Sequence, residues 1–225
     1  MKYKVISFDI FQTLVDVNKR IPDIWQGILK DEYTDDKAIQ GADAILSSYP
    51  AIYERAVHAE KFLAMEEVYT ECAEKIVDKV NLNVLPQDVA YHLMYQHSKA
   101  PFYHEVLDCI KKLRKRYQII LSSDSSHLMV DELIGKIDPD SAFISDDLRS
   151  YKGDKNGKFF SCVLSHLDAD PNEILHIGDS TADVFGAHKA GIPSCWINRD
   201  NRRWNSTIQP DYIIKDFNDL KDILF

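Results

Sequence analysis

Six short apolar runs constrain this chain more than any other feature. They cover residues 3–8, 118–121, 142–144, 174–177, 195–197 and 212–214. Continuous runs of this length, bounded by polar turns, read as strands buried on both faces of a parallel sheet. Between them apolar residues recur at helical spacing. Val106, Leu107, Ile110 and Leu113 mark one face, and Phe159, Phe160, Val163, Leu164 and Leu167 another. Strands alternating with helices over 100–225 predict an α/β fold with a Rossmann-like parallel sheet, covered by helices on both sides.

Residues 18–99 follow a different rule. They come after a single strand and carry helical patterning with no strand. Val68, Tyr69, Cys72, Ala73, Ile76, Val77 and Val80 form one amphipathic stripe, and Pro22, Pro50 and Pro86 stand near expected helix starts. The expectation is an α-helical cap over 18–99, inserted into a core made of 1–17 and 100–225. Ala100-Pro101 marks the return to the core.

Composition narrows the function. The 225 residues can bury about 70% or more of their unfolded surface, so folding needs no metal or disulfide staple. The 27 Lys and Arg against 36 Asp and Glu leave a net charge of −9, which repels a nucleic-acid backbone. Cys72, Cys109, Cys162 and Cys195 are far apart, with no CxxC pair, and read as free thiols of a reducing compartment. Asp9 interrupts the first apolar stretch, so it does not read as a signal peptide, and no run reaches the length of a membrane span. The expectation is a soluble, cytoplasmic protein with no nucleic-acid or membrane partner. Its oligomeric state is not written in the sequence.

Ligands of open α/β sheets bind beyond the carboxyl ends of the strands. The first strand delivers Asp9. The second ends in Ser122-Ser123-Asp124-Ser125-Ser126, and a later one in Gly178-Asp179-Ser180-Thr181-Ala182-Asp183. Tyr151-Lys152-Gly153-Asp154 lies between them. Taken singly, an Asp or Ser after a strand caps the next helix. Several acids and a lysine arriving together at strand ends exceed what capping requires.

These segments resemble the haloacid dehalogenase superfamily of hydrolases over nearly the whole chain. Val5-Ile6-Ser7-Phe8-Asp9-Ile10-Phe11-Gln12-Thr13-Leu14 is similar to the family's first motif, with Thr13 where a threonine is expected. The resemblance implies that Asp9 is a nucleophile, forming an aspartyl-phosphate in a phosphatase. It implies that Ser122 and Lys152 hold phosphoryl oxygens, with Lys155 and Lys158 as competitors for the lysine's place. It also implies a Mg²⁺ site made by Asp9, the Phe11 carbonyl, Asp179 and Asp183, for a small anionic substrate. The charge argument agrees: two carboxylates ~4 Å apart repel by roughly 4 kcal/mol at an effective dielectric of ~20, and a hard divalent cation offsets this.

Phe11 departs from the phosphatase pattern, which places a second aspartate there as general acid and base. Loss of that help typically costs ~10²–10⁴-fold. Dehalogenases of the family carry an aromatic residue at this position, and Gly191-Ile192-Pro193-Ser194-Cys195-Trp196-Ile197-Asn198-Arg199 is dehalogenase-like too. Asp179 argues the other way, because uncompensated it would repel both Asp9 and a carboxylate substrate. Three readings stand: a Mg²⁺-dependent phosphatase of a small phosphorylated metabolite, a metal-free 2-haloacid dehalogenase, and a phosphate- or metal-binding protein whose catalysis has decayed. Arg20, Arg55, His58 and Lys61 are the cap residues considered as replacements for the missing acid. His176 reads as a satisfied core histidine.

Overall fold

The computed structural model describes residues 2–224. The chain opens with β1 (Val5–Phe8) and then runs through four helices, α1 (Ile21–Leu29), α2 (Asp35–His58), α3 (Met65–Val80) and α4 (Pro86–Ser98). An alternating series follows: α5 (Val106–Leu113), β2 (Gln118–Ser123), α6 (His127–Ile137), β3 (Ser141–Ile144), α7 (Ser145–Leu148), α8 (Lys158–Leu167), β4 (Ile174–Gly178) and α9 (Thr181–Lys189). Then come β5 (Ser194–Ile197), β6 (Tyr212–Ile214) and a last turn, α10 (Lys221–Leu224). All six strands are parallel, in the order β3-β2-β1-β4-β5-β6.

The fold follows from strand periodicity. Ile6 and Phe8 point to a large core that also takes Val106, Ile110, Leu133 and the interior of α1–α4. Val5 and Ile120 point the other way, to a second core with Phe159, Phe160, Val163 and Ala187. Both faces are therefore covered, as a parallel sheet requires. Each strand predicted from an apolar run is present, with ends that differ by at most two residues and with β6 at the predicted bounds. Tyr3 is buried but lies outside β1, and its hydroxyl bonds Tyr212 at 3.0 Å.

The helical stretch behaves as expected in most respects. All of the α3 stripe is buried except the half-buried Val77. Pro22 and Pro86 sit in the first turns of α1 and α4, where a missing N–H costs nothing. Two expectations need correction. Pro50 lies inside α2, not at a helix start. The carbonyl it leaves without an N–H partner belongs to Leu46, an exposed residue that water can reach. Leu107 faces solvent, at 46% exposure, because α5 rests on the core through Val106, Ile110 and Leu113, with Cys109 half-buried beside them.

The chain leaves the sheet and returns to it side by side. Asp16 N donates to Pro101 O at 2.9 Å, and Tyr103 N to Leu14 O at 3.0 Å. All four cysteines are free thiols, Cys72 and Cys195 buried, Cys109 and Cys162 half-buried. Among the described residues no helix is long and apolar enough to cross a membrane.

Candidate functional site

The strand order places β1 between β2 and β4, where the chain's winding direction reverses and open sheets bind ligands. Phe8 is in register with Leu121 and with Ile177. The next residues, Asp9, Ser122 and Gly178, therefore emerge at one level, and Asp9 N donates to Ile177 O at 2.9 Å. Two glycines make the close approaches. A Cβ on Gly178 would stand 2.2 Å from Asp183 Cγ, and one on Gly186 would stand 2.2 Å from the Lys152 carbonyl. Gly178 thus admits the Asp183 carboxylate, and Gly186 lets α9 lie against the loop carrying Lys152.

Asp9, Asp179 and Asp183 each bring a carboxylate oxygen within 4.8 Å of the others. Lys152, nearly sealed from solvent, sits among them, with Nζ 2.6 Å from Asp9 Oδ1 and 2.5 Å from Asp183 Oδ1. Burial works against its charge, but Asp183, Asp9 and Asp124 outweigh burial and keep Lys152 protonated. Lys155 and Lys158 do not compete: both face outward, and Lys158 Nζ bonds the Arg149 carbonyl. Burial, helped by Asp183 and Asp179, pushes the Asp9 carboxyl up to about 8 against the pull of Lys152.

Asp183 has both oxygens engaged. Oδ1 takes Lys152 Nζ and, at 3.0 Å, His176 Nε2. Oδ2 takes the backbone N–H and hydroxyl of Ser180, closing a capping box at the start of α9. Although burial opposes ionisation, Lys152 and His176 hold Asp183 well below the usual carboxylate range. An ionised carboxylate only accepts, so His176 Nε2 carries the proton and Nδ1 must accept. Burial lowers the His176 pKa, which fits this neutral form. Nδ1 lies 2.9 Å from Ser7 Oγ, which lies 2.9 Å from Ser122 Oγ. The hydroxyl protons therefore run from Ser122 to Ser7 to His176. The structure satisfies His176 as expected, but makes it part of the acidic site rather than of the core alone. At the same strand end the hydroxyls of Ser123, Ser125 and Ser126 are buried without a partner.

Asp179 is compensated by a side chain of the protein, a partner that the sequence reading did not name. Arg202 Nη2 lies 2.9 Å from its Oδ2, and Trp196 Nε1 donates to its carbonyl at 2.8 Å. Burial and then Asp183 raise the Asp179 carboxyl to about 6, with Arg202 restraining the rise.

The loop after Asp9 is tightly held. Gln12 takes a left-handed backbone at φ 57°, uncommon for a residue with a side chain. Its Oε1 accepts from Val17 N at 3.2 Å and from the Tyr103 hydroxyl at 3.3 Å. Thr13 is fully buried with its hydroxyl unpartnered, while its carbonyl accepts from Arg199 Nη2 at 2.9 Å. Phe11 meets the ring of His97 on α4 edge-on, with centroids 5.1 Å apart. Rings continue from there through Tyr69, Tyr49 and Tyr53. Tyr53 meets Tyr151 in turn and donates to Asp124 Oδ2, and Asp124 Oδ1 accepts from Lys152 N at 2.9 Å. An arch of helical-module aromatics thus connects the two sides of Asp9. Asp124 stood in the strand-end segment singled out from sequence but was given no role, and nothing in the pattern marked His176 or Arg202 as part of the site, because each is recognised only by its partner. Three of the four cap residues considered for the acid's role are engaged elsewhere: Arg20 with Gln96 and Asp23, Arg55 with Glu71, and His58 with Glu54. Lys61 lines a surface cleft with Phe62 and Arg149.

A Rossmann-like sheet with an aspartate on its first strand, and a helical insertion directly after that strand, defines a class of hydrolase. Residues 3–191 match the haloacid dehalogenase-like hydrolases, and the chain belongs to that family. A pyrimidine 5'-nucleotidase of Streptococcus pneumoniae is 25% identical over 236 residues, covering 100% of this chain and 96% of that protein. An (S)-2-haloacid dehalogenase of Burkholderia cepacia is 30% identical over 112 residues, 48% of each chain. Among solved structures, a magnesium-bound hydrolase of the family from Bacillus subtilis superposes with a TM-score of 0.84 at 18% identity, covering 100% of this chain and 99% of that one.

Proposed function

We propose that this hydrolase is a Mg²⁺-dependent phosphatase of a small phosphorylated metabolite, with Asp9 as nucleophile and 18–99 as its cap. The observation that carries this reading is the convergence of Asp9, Asp179 and Asp183 within 4.8 Å. The donor set suits a hard cation: carboxylate oxygens, with a backbone carbonyl beside them. Asp9 Oδ2 and Asp179 Oδ1 accept no hydrogen bond among the described residues. The bonds of the following turn run from Gln12 N to Val15 O and from Leu14 N and Val15 N to Ile10 O, which leaves the Phe11 carbonyl outside them. These three groups are the ones that would hold the ion. Asp183, with both oxygens taken, acts by placing Lys152. When bound, Mg²⁺ would neutralise the acids and polarise the phosphoryl group.

The chain's own residues supply the rest. Asp9 attacks phosphorus, giving an aspartyl-phosphate that water then hydrolyses. Lys152, fixed by two carboxylates, is the permanent positive charge beside the attacking oxygen. Ser122 stands next to Asp9, with its proton committed to Ser7. Thr13 is carried on the loop that shapes the pocket.

One pair of observations favours dehalogenation instead. Phe11 removes the acid that an alkoxide leaving group needs, and Arg202 removes the objection that Asp179 is uncompensated. Asp179→Asn decides between the two readings. Under the phosphatase reading it weakens Mg²⁺ binding and abolishes metal-dependent release of phosphate from acetyl phosphate. Equal turnover of a 2-haloacid in chelator and in excess Mg²⁺ would put the dehalogenase first.

A further inference from the structure

A cavity of about 280 Å³ lies in the helical module, between α1, α2 and α4. It shares Tyr49, Tyr69 and His97 with the aromatic arch beside Asp9, and Ile24, Trp25 and Leu93 complete its apolar wall. We infer that this cavity takes the aromatic ring of the substrate, and that the substrate class is an aryl phosphate. The inference rests on the phosphatase reading above and extends it to the leaving group.

Three observations support it. First, the wall carries no Lys, Arg, Asp or Glu. Two of its polar groups satisfy each other, the Tyr69 hydroxyl and His97 Nε2 at 3.1 Å, and His97 Nδ1 lies 2.7 Å from the Leu93 carbonyl; Asn18 and the Tyr49 hydroxyl are its other polar groups. Burial lowers the His97 pKa, so that ring is neutral too. A carboxylate would find no cation there, and the wall is mostly apolar. Second, rings accept rings, in edge-on and offset contacts of the kind Tyr49, Tyr69 and His97 already make with each other. Third, the cavity's His97 touches Phe11, which occupies the missing acid's place. An aryl oxide leaves without a proton, whereas an alkoxide does not. The pocket and the absent acid therefore select the same chemistry. Asp9 forms a bond to phosphorus as the bond from phosphorus to the aryl oxygen breaks. The aryl oxide leaves with the electron pair and takes a proton from water, and a second water returns Asp9 and releases phosphate.

The test compares phenyl phosphate, acetyl phosphate and propyl phosphate on the full chain with Mg²⁺. It adds phenol alone as a thermal-shift probe of the cavity. Expected is a kcat/KM for phenyl phosphate well above that for propyl phosphate, together with stabilisation by phenol. Ala42→Phe, which fills the cavity from α2, should lower the ratio of phenyl to acetyl phosphate turnover about tenfold, the scale of one ring's burial. Leu46→Glu at the exposed rim should lower the same ratio, and serves if the first variant does not fold. If acetyl phosphate is hydrolysed but the ratio is unmoved in the folded variant, the ring pocket is wrong and the phosphatase reading stands. If no phosphate compound is hydrolysed, the phosphatase reading fails first. A dimer broken by Leu46→Glu, with no phenol effect, would make the cavity a contact between copies and overturn the inference.

Discussion

Arg202 Nη2 lies 2.9 Å from Asp179 Oδ2 and 2.9 Å from the Asp179 carbonyl, so one surface arginine holds a proposed metal ligand at two points. Its loop is itself braced: Arg202 N donates to Asn198 Oδ1 at 2.7 Å, and Asn198 Nδ2 to Arg202 O at 2.9 Å. Lys152 and Arg202 thus bring two positive charges against the three acids of the cluster. An arginine in this position competes with a cation for the same carboxylate. Arg202→Gln should tighten Mg²⁺ binding about fivefold, a modest gain because the Arg202 side chain is half exposed and screened. Titration calorimetry measures this directly. Unchanged or weaker binding would mean that Arg202 orients Asp179 rather than competing for it.

The acidic site also sets how stability responds to pH. Asp9, near 8, and Asp179, near 6, both titrate above their unfolded values, raised chiefly by burial. Between about pH 4 and those values the folded chain binds protons that the unfolded chain has lost, so stability falls as pH rises through the window. Asp183 has its pKa depressed; its contribution is complete above its unfolded value and does not change there. Burial lowers the pKa of His97 and of His176, whose opposite contribution is complete once their unfolded value of about 6.5 is passed, so the expected outcome is a higher melting temperature at pH 7 than at pH 8 in chelator. Excess Mg²⁺ should raise the pH 8 value most, because it binds the deprotonated acids. A metal-free profile that rises toward pH 8 would contradict the raised pKa values.

Lys152 is the structural centre of the cluster as well as its cation. Removing it leaves Asp9 and Asp183 buried without their cation, although Asp183 keeps His176 and Ser180, and breaking such a buried pair typically costs about 3–5 kcal/mol. Lys152→Met should therefore destabilise the chain by about that much in urea unfolding. Adding Asp9→Asn should recover part of the loss, because one of the stranded charges is gone. A full additive loss in the double variant would show that the two side chains are not energetically coupled.

The legible and illegible parts of this protein divide along physical lines. Strands announced themselves because a doubly buried strand has to be apolar, and Asp9, Ser122 and Asp179 were found because strand ends are where a sheet presents polar groups. Lys152 was distinguishable from Lys155 and Lys158 only through the family resemblance, since all three share one loop. Pro50 misled because proline favours a first turn but is tolerated inside a helix where the freed carbonyl meets water. His176 looked like an ordinary core residue because its significance lies in a carboxylate seven positions away, reached only after α9 turns back on β4. Arg202 gave no signal at all: its neighbour Arg203 and other surface cations look the same until the loop's hydrogen bonds to Asn198 aim it at Asp179.

Phe11 offers the most selective test. Its ring packs edge-on against His97, while its carbonyl is the part assigned to the metal, so replacing the side chain need not disturb coordination. Phe11→Asp places a carboxylate two residues after Asp9, next to a loop already fixed by Gln12. An alkoxide leaving from propyl phosphate needs a proton in the transition state, and an aryl oxide needs little help. The variant should therefore gain up to ~10²-fold on propyl phosphate and change little on phenyl phosphate, because acid catalysis acts through the basicity of the leaving group. The lost aromatic contact should cost about 1 kcal/mol of stability, which circular dichroism melts would register. Measured on the folded variant, an equal change for both substrates would show that residue 11 does not occupy the place of the acid.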